Sequence, residues 1–178
     1  MTFKYSGVIP ASKSIMNRAL ICSSYAEDLV LLGHSSCDDV VKMVSAVQQL
    51  NANTNAQNLV FDCGAAGTVF RFLSLRLSRI PGTHTLKGSE RLMRRPQQDL
   101  LNLFERLGVT YEIGREHLIL HSNTWKNLNK AIEVNRTVSS QFASGMILNA
   151  WNLQEDLVLD MVGEPISEGY LAMTLNVV

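Results

Sequence analysis

Short apolar runs of strand length alternate along this chain with longer amphipathic stretches of helical period. Apolar residues that recur every three or four positions are typical of one face of an α-helix. Runs of four to six residues rich in Val, Ile and Leu, bounded by turn formers, indicate strands. The pattern predicts strands over 4–9, 29–32, 59–62, 83–87, 110–113, 118–121, 131–134 and 157–161. It predicts helices that open near 12 and over 38–50, 67–79, 96–107, 140–150 and from 166 onward.

Turn residues mark the ends of several of these elements. Pro96 is placed for the first turn of its helix and Gly108 for the position just after its end. Gly114-Arg115-Glu116 separates two strand-like runs and predicts a hairpin. Without a linker of low complexity, we expect one domain of mixed α/β type.

The order of elements suggests repeated units of related topology. A β-α-β-α-β-β order runs from Leu29 to His121 and begins again at Ala131, without a clear sequence repeat. The second round is incomplete, because the sequence stops inside an apolar helix over 170–178. We therefore expect the chain to be a fragment of something longer.

Composition and charge narrow the class of protein. The 178 residues carry no net formal charge and have a pI near 6.9, which argues against nucleic-acid or acidic-membrane partners. Cys22, Cys37 and Cys63 are widely spaced and odd in number, as expected for reduced thiols of a cytoplasmic protein rather than for disulfides or a zinc site. No apolar run approaches the roughly 20 residues of a membrane span.

The first polar helix opening is Ser12-Lys13-Ser14, followed one turn later by Arg18. A helix N-terminus exposes unpaired backbone N–H groups and a partial positive charge. Two hydroxyls, an ammonium and a guanidinium placed there predict a site for phosphate or carboxylate. Taken alone, a capped helix with solvated charges explains the pattern equally well.

Similar openings recur, and their number changes the interpretation. They are Gly64-Ala65-Ala66-Gly67-Thr68 with Arg71, Arg94-Arg95-Pro96, Ser139-Ser140-Gln141, and Ser167 with Tyr170. Thr68 could cap its helix or donate to an anion, and Arg95 could present a bidentate fork to one. The glycine loop matches neither common nucleotide-binding pattern. Together these openings predict a site for a multiply anionic small molecule, which a purely structural α/β domain would leave unexplained.

A general acid or base is harder to find. The four histidines (34, 84, 117 and 121) lie in predicted strands or loops with no nucleophile beside them. The carboxylates Asp38, Asp39, Glu164 and Glu168 are placed to complement helix dipoles. No Cys and His grouping has the spacing of metal ligands.

The ordered set of motifs resembles the 5-enolpyruvylshikimate-3-phosphate synthase (EPSP synthase) family. The resemblance rests on residues 12–18, on 64–68 with Arg71, on 94–96, on Val138-Ser139-Ser140-Gln141-Phe142, and on Ser167 with Tyr170. It implies transfer of the enolpyruvyl group of phosphoenolpyruvate to the 5-hydroxyl of shikimate 3-phosphate, with release of phosphate, in aromatic amino-acid biosynthesis. It also implies inhibition by glyphosate at the phosphoenolpyruvate site, and a reaction that needs neither a metal nor an organic cofactor.

The resemblance also assigns residues. It implies that shikimate 3-phosphate is held by Lys13, Ser14, Arg18, Ser139, Ser140, Gln141, Ser167 and Tyr170. It implies that phosphoenolpyruvate is held by Lys13, Gly67, Arg95 and Gln141. Lys13 would lie near both substrates and is the catalytic residue that the resemblance names.

The fold implied is the enolpyruvyl-transferase domain, built from βαβαββ units with parallel helices and mixed sheets, here with an incomplete third unit. Residues 1–178 would form the shikimate-3-phosphate-binding N-terminal-side domain, with residues 1–11 as the strand and hinge toward a second domain. That second half of the enzyme would supply the catalytic carboxylates, so we expect the chain alone to be inactive.

Two local departures from the family pattern affect the site. Ala65 stands where the family usually has Asn, which removes one polar contact near phosphoenolpyruvate. Glu168-Gly169 replaces a basic residue and Pro before Tyr170. The alternatives are a non-catalytic anion-binding remnant and the sister transferase that acts on UDP-N-acetylglucosamine, whose Lys-Asn pair and cysteine loop have no match here.

Overall fold

The computed structural model describes residue 7 and residues 9–26, 28–126 and 128–178. The helices are α1 (Lys13–Ser23), α2 (Asp38–Ala52), α3 (Gly67–Leu77), α4 (Glu90–Met93), α5 (Gln98–Arg106), α6 (Ser140–Leu148) and α7 (Glu168–Leu175). The strands are β1 (Val60–Asp62), β2 (Gly82–Lys87), β3 (Thr110–Ile113), β4 (His117–Ser122), β5 (Ile132–Asn135) and β6 (Leu159–Val162).

The strands form two sheets of different completeness. The first has the order β1-β2-β4-β3, with β1 and β2 parallel and the other neighbours antiparallel. Together with α3, α4 and α5 it forms one βαβαββ unit. The second sheet holds only β5 and β6, which run parallel, with Ile132 opposite Leu159. With α6 and α7 it repeats the start of the unit, and so the expected mixed α/β fold with parallel helices and mixed sheets is confirmed.

One predicted strand is wrong. Residues 29–32 are strand-like in sequence, but they form no strand, and the complete unit begins at Val60 rather than at Leu29. Val30 and Leu32 are largely exposed. A strand needs a neighbour for its backbone groups, and no strand in the described part of the chain lies beside this segment. Most of the predicted strand over 4–9 falls outside the described residues.

The segment before α5 also differs from the prediction. The predicted helix over 96–107 begins only at Gln98, so Pro96 precedes its first turn. The preceding residues instead form the short α4, where the Ser89 hydroxyl accepts a hydrogen bond from the Leu92 N–H. Gly108 does adopt a positive φ of 69° after α5, as the sequence predicts.

The core is built around α3 and α6, which are the most deeply buried helices. Phe70, Phe72 and Phe142 are fully buried between the elements. α6 approaches α3 closely at Gly145, where a Cβ would lie 2.6 Å from Leu75 Cδ1. α1 packs against both helices. This bundle fixes the relative positions of the helix ends on which the site depends.

Two half-buried arginines, Arg76 and Arg79, lie at the C-terminal end of the bundle. Arg76 donates to the Ser24 carbonyl at the end of α1, at 3.1 Å. Arg79 donates to the Asn149 carbonyl just after α6, at 2.7 Å. Both guanidinium groups lie over the ring of Tyr25. Because α1, α3 and α6 end together, they run parallel, and the cations complement their negative dipole ends.

In the described ranges, membrane-spanning helices and metal-binding clusters are both absent. No helix there is both long and apolar enough to cross a membrane. Those ranges also hold no group of three or more His, Cys, Asp or Glu side chains that could bind a metal ion. The three cysteines are free thiols; Cys22 and Cys63 are buried and Cys37 is half-buried.

Candidate functional site

A cleft of about 290 Å³ opens where the N-terminal ends of α1, α3, α6 and α7 meet. Its lining includes every residue that the sequence assigned to shikimate 3-phosphate. The lining residues are Lys13, Ser14, Arg18, Thr68, Val138, Ser139, Ser140, Gln141, Ile166, Ser167 and Tyr170. Residues far apart in sequence therefore come together in one polar cleft.

The helices leave their first-turn N–H groups open toward this cleft. Ser12 and Ser167 are N-caps of α1 and α7, but neither side chain makes a capping hydrogen bond. The N-cap of α3 is Ala66, so Thr68 lies inside the helix and does not cap it. Of the four helices at the cleft, α6 alone has a side-chain cap, Ser139 Oγ, which accepts from the Gln141 N–H at 3.2 Å. Open N–H groups and aligned dipoles favour an anion.

Arg18 lines the cleft but uses most of its donors within the protein. Its Nε donates to Thr174 Oγ1 at 2.7 Å, and its Nη1 to the Ser14 carbonyl at 2.8 Å. Its Nη2 donates to the Ser144 hydroxyl and the Tyr170 carbonyl. Burial lowers the pKa of Arg18, although Tyr170 opposes that shift. Arg18 thus offers the cleft a fixed charge and at most one free N–H, rather than a bidentate fork.

Lys13 stands at the rim of the cleft with a carboxylate beside it. Its Nζ lies 3.4 Å from Asp39 Oδ2, at the start of α2. The Lys13 side chain is about half exposed, so an anionic ligand can reach its ammonium group. Asp39 holds the side chain in place without burying it.

The sequence-predicted phosphoenolpyruvate residues form a second group around the start of α3. Arg95 lies directly against Gly67, where a Cβ would be 2.5 Å from Arg95 Nη1. Glycine at this position leaves room for the guanidinium group to approach the backbone so closely. Gln141 reaches the same helix, because its Nε2 donates to Thr68 Oγ1 at 3.0 Å. Lys13 and Gln141 line the neighbouring cleft.

Ser167 has an unusual backbone conformation within the site. Its φ of 60° and ψ of 55° are left-handed, a conformation that costs energy for a residue other than glycine. Tyr170 follows one turn later, with its ring facing the guanidinium group of Arg18 at 5.7 Å. Both departures from the family pattern lie at the surface, because Ala65 is exposed and so is Glu168.

Sequence reasoning gave no role to Arg71, which holds the wall of the cleft together. The residue is 3% exposed, and its guanidinium group donates to Gln141, Ser139, Gln97 and the Pro96 carbonyl. Burial, with a smaller contribution from Arg95, lowers the pKa of Arg71 to about 10. The sequence shows Arg71 one turn into α3. Its hydrogen-bond partners, however, lie 25 to 70 positions away along the chain, so no local pattern reveals them.

Comparison with known proteins identifies the family. A model of the family described as EPSP synthase (3-phosphoshikimate 1-carboxyvinyltransferase) matches residues 7–178. The chain belongs to the EPSP synthase family. A 3-phosphoshikimate 1-carboxyvinyltransferase from Bacteroides fragilis strain YCH46 is 37% identical over 171 residues, and one from Bordetella pertussis is 28% identical over 193.

The fold agrees with this membership. An EPSP synthase structure from Acinetobacter baumannii superposes with a TM-score of 0.72 at 17% identity, over 90% of this chain and 41% of that one. The Bacteroides fragilis match covers 94% of this chain and 40% of the relative. The chain therefore spans about two fifths of the length of the EPSP synthases that it matches.

Proposed function

We propose that these 178 residues form the shikimate-3-phosphate-binding N-terminal-side domain of an EPSP synthase. Residues 1–11 would be the strand and hinge toward the second domain. The observation that carries the proposal is the cleft itself, in which all eight predicted ligand residues lie at the open ends of parallel helices. Family membership supports the substrate.

The cleft suits a phosphate monoester on a polar ring. Open N–H groups, Lys13 and the hydroxyls of Ser14, Ser140 and Ser167 can surround phosphate oxygens. Tyr170 can lie along the ring. Phosphoenolpyruvate would occupy the adjoining region between Lys13, Gly67, Arg95 and Gln141, where Lys13 can stabilise negative charge on either substrate.

Turnover needs groups that this part of the enzyme does not supply. The described residues lining the cleft include neither a carboxylate nor a histidine, which are the commonest general acids and bases. We therefore expect the chain alone to bind shikimate 3-phosphate without catalysis, in the cytoplasm where its substrates are made. The missing C-terminal half of the enzyme would complete the site.

Calorimetric titration of the chain with shikimate 3-phosphate tests the proposal. We expect saturable binding that shikimate does not reproduce and that Ser140→Ala weakens roughly tenfold, because a hydrogen bond to a charged group is lost. Ser36→Ala, at an exposed serine outside the cleft, is the matched control. If the folded chain does not bind shikimate 3-phosphate, the proposal that this domain binds it without the rest of the enzyme is wrong.

Activity is tested in a chimera in which residues 7–178 replace the matching segment of the Bacteroides fragilis relative. We expect phosphate release that requires both substrates and is lost in the Lys13→Met chimera. A folded chimera that binds shikimate 3-phosphate but releases no phosphate would favour the anion-binding remnant over the transferase.

A further inference from the structure

Arg71 contacts two cleft residues without itself lining the cleft. It reaches the wall from behind, with its guanidinium group 4.8 Å from the centre of the Phe142 ring. Its Nη1 donates to Gln141 Oε1 at 2.8 Å and to Ser139 Oγ at 3.3 Å. These bonds determine what the two side chains can offer a ligand.

The Ser139 hydroxyl can in principle donate or accept, but here its oxygen is already occupied. It accepts from Arg71 Nη1 and from the Gln141 backbone N–H. Two accepted hydrogens use both lone pairs, so the hydroxyl can only donate. No acceptor for its hydrogen exists among the residues that the structure describes, which leaves the O–H for a ligand.

The Gln141 amide is oriented in the same way. Because Arg71 occupies its carbonyl oxygen, the amide N–H₂ must point elsewhere. One N–H is donated to Thr68 Oγ1 at 3.0 Å. The other has no acceptor within the described ranges, and Gln141 lines the cleft. A reversed amide would place N–H₂ against a guanidinium group, which is unfavourable.

Arg71 also links this wall to the Arg95 turn. Its Nη2 donates to the Pro96 carbonyl at 2.9 Å, and its Nε to Gln97 Oε1 at 3.2 Å. Gln97 is 5% exposed and in turn donates to the Leu92 carbonyl. One buried guanidinium group thus holds two walls that are separate in sequence.

We propose that Arg71 is a positioning residue that leaves Ser139 able only to donate and orients the Gln141 amide so that its free N–H serves the cleft, and so selects a ligand whose facing groups are anionic acceptors. The identity of that ligand as a phosphate monoester rests on the proposed function. The orientation of the two side chains does not, because it exists in the free chain.

The first test therefore uses the free chain and NMR of side-chain amides. We expect the Gln141 N–H₂ pair, assigned by its loss in Gln141→Ala, to be widely separated in wild type and to move to solvent-averaged shifts in Arg71→Met. Arg76→Met removes another arginine of α3, a half-buried one at the opposite end of the bundle, and should leave the pair unchanged. An unchanged pair in folded Arg71→Met overturns the proposal.

The second test measures selectivity. Arg71→Met should lower the ratio of affinities for shikimate 3-phosphate and shikimate at least roughly tenfold. In the Ser139→Ala/Gln141→Ala background the same change should have little further effect, because Arg71 acts through those side chains. If Arg71→Met lowered the ratio as much in that background as in wild type, the positioning role would be contradicted. Arg71→Lys, which keeps the charge, replaces Arg71→Met if the latter unfolds, and should restore only part of the ratio.

The two proposals fail separately. If wild type does not bind shikimate 3-phosphate but the Gln141 amide responds to Arg71, the substrate assignment fails and the positioning role stands. If binding is normal and neither the amide nor the selectivity depends on Arg71, the positioning role fails alone.

Discussion

At the scale of single residues, Ser167 lines the cleft and has a strained backbone. Its left-handed φ of 60° costs a residue with a Cβ about 1–2 kcal/mol. The residue is exposed, so replacing it opens no cavity. We expect Ser167→Gly to be more stable than Ser167→Ala by about 1 kcal/mol, after allowing for the greater chain entropy of glycine.

Urea unfolding of the two variants checks this, and both lack the hydroxyl. Since the loss of the ligand contact is shared, both should bind shikimate 3-phosphate equally weakly while differing in stability. Equal unfolding free energies would show that position 167 is not held in the left-handed region.

His84 gives the fold a predicted pH dependence. Its ring is fully buried; Nδ1 accepts from the Leu59 N–H at 3.3 Å, which places the ring proton on Nε2 to donate to the Ile80 carbonyl. Burial lowers the pKa of His84, partly offset by backbone hydrogen bonds. A depressed pKa means that the unfolded chain binds the proton more readily.

The stability that neutral His84 contributes is therefore present above about pH 6.5 and falls as the pH drops below it. Between pH 7.5 and 5.5 we expect the free energy of unfolding to fall more in wild type than in His84→Gln, because glutamine can accept and donate hydrogen bonds without titrating. Urea unfolding at the two pH values measures the difference. His34→Gln, at an exposed histidine, is the matched control, and its stability should depend on pH as that of wild type does. Equal losses in wild type and His84→Gln would contradict this.

At the scale of elements, two helical glycines occupy opposite environments. A Cβ at Gly145 in α6 would lie 2.6 Å from Leu75 Cδ1, within the packed face against α3. At Gly169 in α7 nothing lies within 4 Å. Alanine gains up to about 1 kcal/mol over glycine in a helix, but overpacking a core costs about 1–3 kcal/mol.

We therefore expect Gly169→Ala to raise the free energy of unfolding and Gly145→Ala to lower it, although both improve helix propensity. Chemical denaturation of the two variants beside wild type measures the difference. If both variants are stabilised, α3 and α6 are less closely packed than their contact indicates.

The elements also show what sequence patterns can and cannot predict. Helices such as α2 and the β3–β4 hairpin were predicted almost to their ends, because local periodicity and turn residues determine them. The strand over 29–32 failed because strand formation depends on a partner elsewhere. Short α4 was missed, since four residues contain too little periodicity to recognise. The cleft residues were found by motif, but the Arg71 contacts depend on packing.

At the scale of the whole molecule, charge is organised although the net charge is zero. The C-terminal ends of α1 and α6 meet the guanidinium groups of Arg76 and Arg79. The N-terminal ends open on the cleft beside Lys13 and Arg18. The parallel bundle therefore carries compensated negative ends at one pole and uncompensated positive ends at the other. Although the composition is neutral overall, this arrangement favours anions at the N-terminal ends of the helices.

This polarity predicts that the free chain is stabilised by simple oxyanions. An anion that binds only the folded cleft adds RT ln(1 + [L]/Kd), or about 2.7 kcal/mol at a hundred times Kd. We expect the Tm to rise with inorganic phosphate at constant ionic strength. Phosphate also stabilises proteins by exclusion from their surface, so the wild-type shift alone is insufficient.

The decisive quantity is the part of the shift that Lys13→Met removes. Lys13 is half exposed and its pairing with Asp39 lies at the rim, so the substitution should change stability little without phosphate. Lys42→Met, which breaks the comparable Lys42–Asp62 pair away from the cleft, is the matched control. We expect Lys42→Met to keep the full phosphate-dependent shift and Lys13→Met to lose most of it. Equal shifts in both variants would place the anion preference outside the cleft.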